Sequence, residues 1–472
     1  MGPSIPGCSL DAALQRRLAQ RESKGKLRRL HLPGPNLVDF SSNDYLSLSQ
    51  DLDLRDALIA RLGDPVGIRS SSPSPGRIIG SGGSRLLDGN SAFIEDLECT
   101  ISKFHESEAT LLFNSAYDAN VGLISCVPAA EDIILYDSLI HASIHDGMRL
   151  SRSTKRVPFE HSSITRHRSD LDKKSEADVP ELQSLELTLE RLILSDMRVR
   201  SGASNVFICV EALYSMDGDV ADLVYIDNVI KTKLPKGNGY IIVDEAHSIG
   251  VLGDGGRGLV CELGLQDRVW ARVIGFGKAM GCAGGAILCS STARHYLINY
   301  ARTLIYTTAM TFPSLASIDA AYQYLMTRKA EQRRLQLKTL IRHCYIKLKS
   351  LDQRLRPAAA TLRVPESTAD SPIIPLFTTD PRGLAQYCQA SGFMVRPIVA
   401  PTVPRGTERI RICLHAANTI EQVDGLIRTI ETWLRKPRTL RDALACQSSH
   451  TGSRSTESRS QGGVTDSTKA KL

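Results

Sequence analysis

Tyr240-Ile241-Ile242-Val243-Asp244-Glu245-Ala246-His247 decides how this chain is read. Four apolar residues closed by an acid describe a strand buried on both faces, with a carboxylate emerging at its end. A few dozen residues on, Val273-Ile274-Gly275-Phe276-Gly277-Lys278-Ala279-Met280-Gly281 is a second apolar run, ending in glycines around one lysine. Burial lowers the pKa of an amine and frees its lone pair for a Schiff base with an aldehyde cofactor. A carboxylate at a strand end pairs with a pyridinium nitrogen and keeps it protonated. Together the two runs outline a site for pyridoxal phosphate, with Lys278, Asp244 and His247 as its candidate residues.

The flanking chain is 472 residues long and 42 % hydrophobic, enough for a large core and two or three domains. Eleven cysteines are scattered without CxxC pairs, and Cys209, Cys289 and Cys413 lie inside apolar runs where a thiol behaves as a small hydrophobe. The expectation is a reducing compartment and no metal. The net charge of +7 fits an anionic cofactor and a phosphate-bearing substrate, and does not single out nucleic acid as a partner. No run of eighteen apolar residues occurs and the N-terminus has no stretch of the signal-peptide kind, so no membrane span is expected.

Outward from the two runs, strand and helix patterns alternate. Leu111-Leu112-Phe113, Asp132 to Tyr136, Val206 to Val210 and Gly285 to Leu288 are further short apolar runs of the buried parallel type, and Phe93, Ile94, Leu97, Ile101 and Phe104 recur at helical spacing. This is an α/β pattern with a sheet covered on both faces. The texture divides the chain into an N-terminal arm (1–50), a large domain (51–305), a smaller C-terminal α/β domain (306–436) and a tail (437–472) too polar to fold. Ser70 to Pro75 and Ser162 to Pro180 read as polar surface insertions, and Ile420, Val423, Ile427, Ile430 and Leu434 as one face of a closing helix. Gly253-Asp254-Gly255-Gly256-Arg257-Gly258 matches a dinucleotide fingerprint by spacing, but no acid ends a following strand, and that reading is set aside.

Five ordered segments carry a resemblance over residues 36–434: Phe40 to Leu46, Gly80 to Leu86, Ser215-Met216-Asp217-Gly218-Asp219, Asp244 to Ser248 and Phe276-Gly277-Lys278. They resemble the α-oxoamine synthases, pyridoxal phosphate enzymes of fold type I that join an amino acid to an acyl-CoA with loss of carbon dioxide. The resemblance implies an aspartate aminotransferase-like fold with a large, mostly parallel sheet. It also implies roles. Lys278 would carry the cofactor and then act as the base at Cα, Asp244 would pair with the ring nitrogen, and His247 and Ser215 would bond the phenolic oxygen. His141 would stack on the ring. Ala116 and Tyr117 would offer backbone N–H groups to the phosphate at a helix start, and Thr307 and Thr308 would reach that phosphate from a second subunit of a homodimer. Asn43 and Arg411 would grip the amino acid carboxylate, the arginine as a fork.

Within the family, the serine and asparagine choices point to the branch that condenses L-alanine with pimeloyl-CoA on the way to biotin. Another acyl thioester of secondary metabolism, or a glycine acetyltransferase-like reaction, are the alternatives; the presence of Lys278 argues against a non-catalytic partner subunit. Some positions depart from the family pattern. Gly275 stands where a threonine usually helps hold phosphate, Ala116 and Ser47 replace glycines, Ile94 sits where a histidine often occurs, and Met310-Thr311 replaces a proline-rich turn. The chain closes on Ala470-Lys471-Leu472, of the type read by the peroxisomal import receptor, so import into peroxisomes is expected, with the cytosol as the default.

Overall fold

The computed structural model describes residues 9–436 except 25, 31, 33, 35, 64–77, 162–181, 356–361 and 367–369. Both polar insertions and the tail with its terminal tripeptide fall outside the described residues. Two units separate, Met1–Leu37 and Val38–Leu472. The first holds one helix, Leu10–Ser23, started by Ser9, whose hydroxyl accepts from the Ala12 N–H; none of its residues is buried. Everything below concerns the second unit, to which residues 38–50 belong.

Thirteen strands follow in chain order: β1 Val38–Asp39, β2 Ala109–Phe113, β3 Ile133–Asp137, β4 Lys155–Phe159, β5 Val206–Glu211, β6 Gly239–Asp244, β7 Val269–Gly275, β8 Gly285–Cys289, β9 Leu362–Arg363, β10 Ile373–Thr378, β11 Phe393–Met394, β12 Arg396–Ile398 and β13 Arg409–Cys413. Seven of them form the main sheet, in the order β2-β8-β7-β6-β5-β3-β4. Pairs among β7, β6, β5, β3 and β4 are parallel, whereas β8 is antiparallel to both β7 and β2. The reading of Leu111 to Phe113 and Gly285 to Leu288 as parallel strands is therefore corrected: they pair antiparallel to each other. Burial on two faces produces the same apolar run whichever way a strand points. β4 escaped the sequence reading because it is an edge strand, where Lys155, Arg156 and Pro158 are tolerated.

Helices cover both faces of this sheet, as the buried strands require. Ala92–Phe104 buries Ile94, Leu97, Ile101 and Phe104. Ala116–Cys126, which follows β2, joins a core cluster with Ile134, Ile242 and Val273, while Leu189, Ile226 and Val260 fill the opposite side against Ile208 and Val243. The helix Arg328–Leu355 leads to an antiparallel sheet of order β12-β13-β10-β9, closed by the helix Ile420–Arg435 with its Thr419–Gln422 capping box. One cluster binds this sheet to the start of the unit: Phe40, Tyr45 and Leu48 share a core with Ile410, Ile412 and Trp433. β1 pairs in parallel with β11, which fixes the segment carrying Asn43 beside the strand carrying Arg411.

Candidate active site

The carboxyl ends of the parallel strands supply the site, as is general for open α/β sheets. β6 ends on Asp244, which is 6 % exposed. Its Oδ1 accepts from the Ala246 N–H at 2.9 Å and its Oδ2 from Asn120 Nδ2 at 2.7 Å. Asn120 sits on Ala116–Cys126 and also donates to Ser143 Oγ, so helix and strand are tied at the carboxylate. In the β5/β6 register Glu211 stands directly opposite Asp244. Burial, then the neighbouring Asp244, hold the Glu211 carboxyl well above its ordinary range, and its Oε1 has no partner. Sequence reading assigned no role to Asn120 or Glu211; only the fold brings them here.

Lys278 occupies the turn after β7. Phe276 N–H bonds Gly284 O and Cys282 N–H bonds Phe276 O, and at Gly281 (φ +63°) a Cβ would come within 2.5 Å of Ser49 N. The glycine is required by that close approach of backbone to backbone. Burial lowers the Lys278 pKa; Asp244 and Glu211 act against this only as nearby charges, and Arg411 adds to it. A half-buried, desolvated amine with no hydrogen bond among the described residues is poised for Schiff-base chemistry.

His247 is buried, with Nδ1 2.7 Å from the Tyr45 hydroxyl. Burial first, then the charges of Lys278, Arg411 and His141, keep its pKa well below the ordinary value, so the ring is neutral. His141 caps its own helix, Ala142–Leu150, by accepting the Ser143 N–H on Nδ1 at 3.2 Å; its exchangeable proton is thereby left on Nε2 and its ring face stays open. The charges of Asp244 and Lys278 both bear on it.

Arg411, on β13, donates to Ser215 O (3.0 Å), Ser41 O (3.3 Å) and Asn43 Oδ1 (3.2 Å), and its buried Nε has no partner. The predicted carboxylate pair is thus assembled from opposite ends of the unit. Ser215 is half-buried, with its carbonyl held by Arg411 and its N–H by Glu211.

Ala116 and Tyr117 open the helix Ala116–Cys126, whose N-cap Ser115 accepts the Asp118 N–H. The first amides of that turn are free of intrahelical partners, the arrangement that suits a phosphate. Asn114, just before the cap, donates to Thr307 Oγ1 (3.2 Å) and Thr308 O (3.0 Å), which places both threonines beside that helix start within one chain. Phosphate, ring and amine of pyridoxal phosphate each meet a fitting group here: open amides, a buried carboxylate and a desolvated lysine.

The departures at Gly275 and Ala116 are one feature. A Cβ on Gly275 would lie 2.9 Å from Ala246 Cβ and 3.3 Å from Ala116 Cβ. A threonine at 275 must therefore displace these neighbours before its hydroxyl can serve a phosphate. Gly275→Thr alone loses stability by about 1–3 kcal/mol and binds pyridoxal phosphate no better in dialysis, while Ala116→Gly with Gly275→Thr recovers part of the loss. Equal melting temperatures for wild type and the single variant would show the site is roomier than this. At Ser47 the backbone keeps the left-handed conformation that favours glycine (φ 55°), and the serine hydroxyl accepts the Ala417 N–H at 3.1 Å.

Beneath the site, His161 bridges Asp137 (2.9 Å) and Asp219 (2.7 Å), with the Tyr214 ring edge-on at 4.4 Å. Burial opposes its charge, but the two carboxylates outweigh it and lift its pKa to about 11. A raised folded-state value contributes stability that is complete below about pH 6.5 and is lost as pH rises toward 11. His161→Gln should lower stability at pH 7 by about 3–5 kcal/mol and flatten its decline between pH 7 and 10. Urea midpoints across that range test it; parallel declines in both proteins would remove His161 as the cause.

Residues 35–430 match the family model "aminotransferase class I and II". The chain is 48 % identical over 436 residues to 8-amino-7-oxononanoate synthase of Emericella nidulans, covering 92 % of this chain and 98 % of that one. It is 35 % identical to aminoacyl transferase sphA of Aspergillus fumigatus, over 83 % of this chain and 80 % of the relative. Among solved structures, serine palmitoyltransferase from S. paucimobilis with a bound pyridoxal phosphate–myriocin aldimine shares the fold, at a TM-score of 0.72 and 21 % identity over 92 % of this chain and 98 % of that one.

Proposed function

From the premise that the chain belongs to the aminotransferase class I and II family, and within it to the pyridoxal phosphate-dependent α-oxoamine synthases, we propose that it condenses L-alanine with pimeloyl-CoA to 8-amino-7-oxononanoate for biotin synthesis. The observation that carries this reading is the near full-length identity of 48 % to a synthase of that name. The convergence of Asn43 and Arg411 beside Lys278 supports it.

When bound, pyridoxal phosphate supplies an electron sink for the pair left on the amino acid Cα. Lys278 would hold the cofactor through its amine and, when that amine is free, would be the base for the Cα proton. Asp244 keeps the ring nitrogen charged, with Asn120 fixing the carboxylate's orientation. His141 would lay its open face on the ring, and His247 and Ser215 would be the donors to the phenolic oxygen. Arg411 and Asn43 would fix the substrate carboxylate and so orient the Cα–H bond for removal of its proton. The nucleophilic Cα then attacks the thioester carbonyl, CoA leaves, and carbon dioxide is lost before reprotonation.

A homodimer completes this reading. Ile79, Leu87 and Tyr306 are 75 %, 78 % and 71 % exposed, and the Ala309 N–H bonds Gly83 O, so these apolar side chains border the segment of Thr307 and Thr308. A second copy covering them would close the side of the slot where Asn114 holds Thr307 and Thr308. The peroxisomal address of Ala470-Lys471-Leu472 is likewise a proposal: an N-terminally tagged chain should be punctate, and diffuse once those three residues are removed.

The likeness to sphA favours one second reading, an acyl thioester other than pimeloyl-CoA. CoA release measured over alanine, glycine and serine against acyl-CoAs of graded length separates the two. Fastest turnover by alanine with pimeloyl-CoA upholds the proposal. Faster turnover by any other pair replaces it.

A further inference from the structure

One side chain joins the carboxylate grip to the histidine beside the cofactor slot. Tyr45 is 0 % exposed, and its hydroxyl lies 2.7 Å from His247 Nδ1 and 3.3 Å from Asn43 Oδ1. Asn43 Oδ1 also accepts from Arg411 Nη2 at 3.2 Å. A phenol has a single proton to donate, so the two acceptors compete for it. The hydroxyl can donate to Asn43 Oδ1 while accepting from a His247 Nδ1–H, or donate to Nδ1 when the imidazole proton is on Nε2; the second arrangement is favoured because His247 is nearer and Asn43 Oδ1 is already engaged by Arg411. A ring that accepts at Nδ1 is a stronger donor at Nε2, because the two bonds polarise one another.

We propose that Tyr45 is a positioning residue that signals occupancy of the Asn43–Arg411 grip to His247. The inference rests on reading Asn43 and Arg411 as the carboxylate site. Arg411 Nη2 divides its donation between Ser41 O and Asn43 Oδ1. A carboxylate that draws the guanidinium to itself leaves Asn43 Oδ1 the freer acceptor, and the Tyr45 hydroxyl turns toward it. No covalent bond changes; one O–H rotates. His247 Nδ1 loses its donor, and its Nε2–H, which would serve the cofactor's phenolic oxygen, becomes the weaker donor as the amino acid arrives. Arrival at the carboxylate end is thereby felt at the ring before any chemistry begins.

The test uses holoenzyme labelled with 15N-histidine and propanoate, which has the carboxylate but no amine. Propanoate should move the His247 Nδ1 resonance toward the value of an unbonded nitrogen, saturating with the binding isotherm measured by calorimetry. In Tyr45→Phe the resonance should start at the unbonded value and stay there, while propanoate binds within about fivefold of wild type, since reciprocal coupling is of that order. Should Tyr45→Phe not fold, Asn43→Ala breaks the relay from the other end and must leave Nδ1 at its bonded value throughout. An Nδ1 resonance that propanoate moves equally in the variant, or that does not move in wild type despite binding, overturns the relay. Wild type that binds no propanoate overturns the carboxylate grip, and the relay with it.

Discussion

Lys278→Ala should leave no measurable condensation and no visible absorption from lysine-bound cofactor, a loss of at least about 10³-fold because one residue both holds the cofactor and moves the proton. No second amine competes for the position: among the groups that bear on Lys278, Asp244 and Glu211 are acids and Arg411 is a guanidinium committed to three oxygens. Lys278 lies on the turn after β7 rather than within the sheet, so the variant should fold and still accept pyridoxal phosphate at the Ala116 helix start. Absorption spectra and CoA release read the two functions separately. Turnover near the wild-type rate in the purified variant would refute the assignment.

Asp244→Asn should cost about three orders of magnitude in rate with the fold intact. The amide has nearly the shape of the carboxylate, and the β6 ladder does not depend on the side chain. What is lost, on the proposed reading, is the anion that would keep the ring nitrogen protonated. The amide also clashes chemically with its neighbour, since Asn120 Nδ2 is a donor aimed at Asp244 Oδ2. Asn120→Ala should be milder, because the charge survives and only its orientation loosens. Rates within about tenfold of wild type for Asp244→Asn would point to another residue as the nitrogen's partner.

The sequence made β5 and β6 legible because burial on both faces writes an unbroken apolar run, and it made Lys278, Asp244 and His247 legible because each ends or follows such a run. It hid β4, whose edge position tolerates charge and proline, and it hid the reversed direction of β8, which composition does not encode. Tyr45, Asn120 and Glu211 were hidden for another reason. Tyr45 reaches His247 across 202 residues and Asn120 reaches Asp244 across 124, and a contact of that range leaves no periodic trace. The crowding at Gly275 was invisible for the same cause, since Ala246 and Ala116 approach it from different elements.

That crowding bears on ancestry. With Ala116 in place, a side chain at position 275 meets two methyl groups; with a side chain already at 275, a methyl at 116 meets it in turn. The two changes cannot have accumulated in either order with equal ease. Starting from a chain with threonine at 275 and glycine at 116, losing the bulk at 275 first would avoid the overfilled intermediate that the opposite order passes through. The methyl at 116 adds to the closer one of Ala246, so a library of single substitutions should seldom recover the threonine at 275.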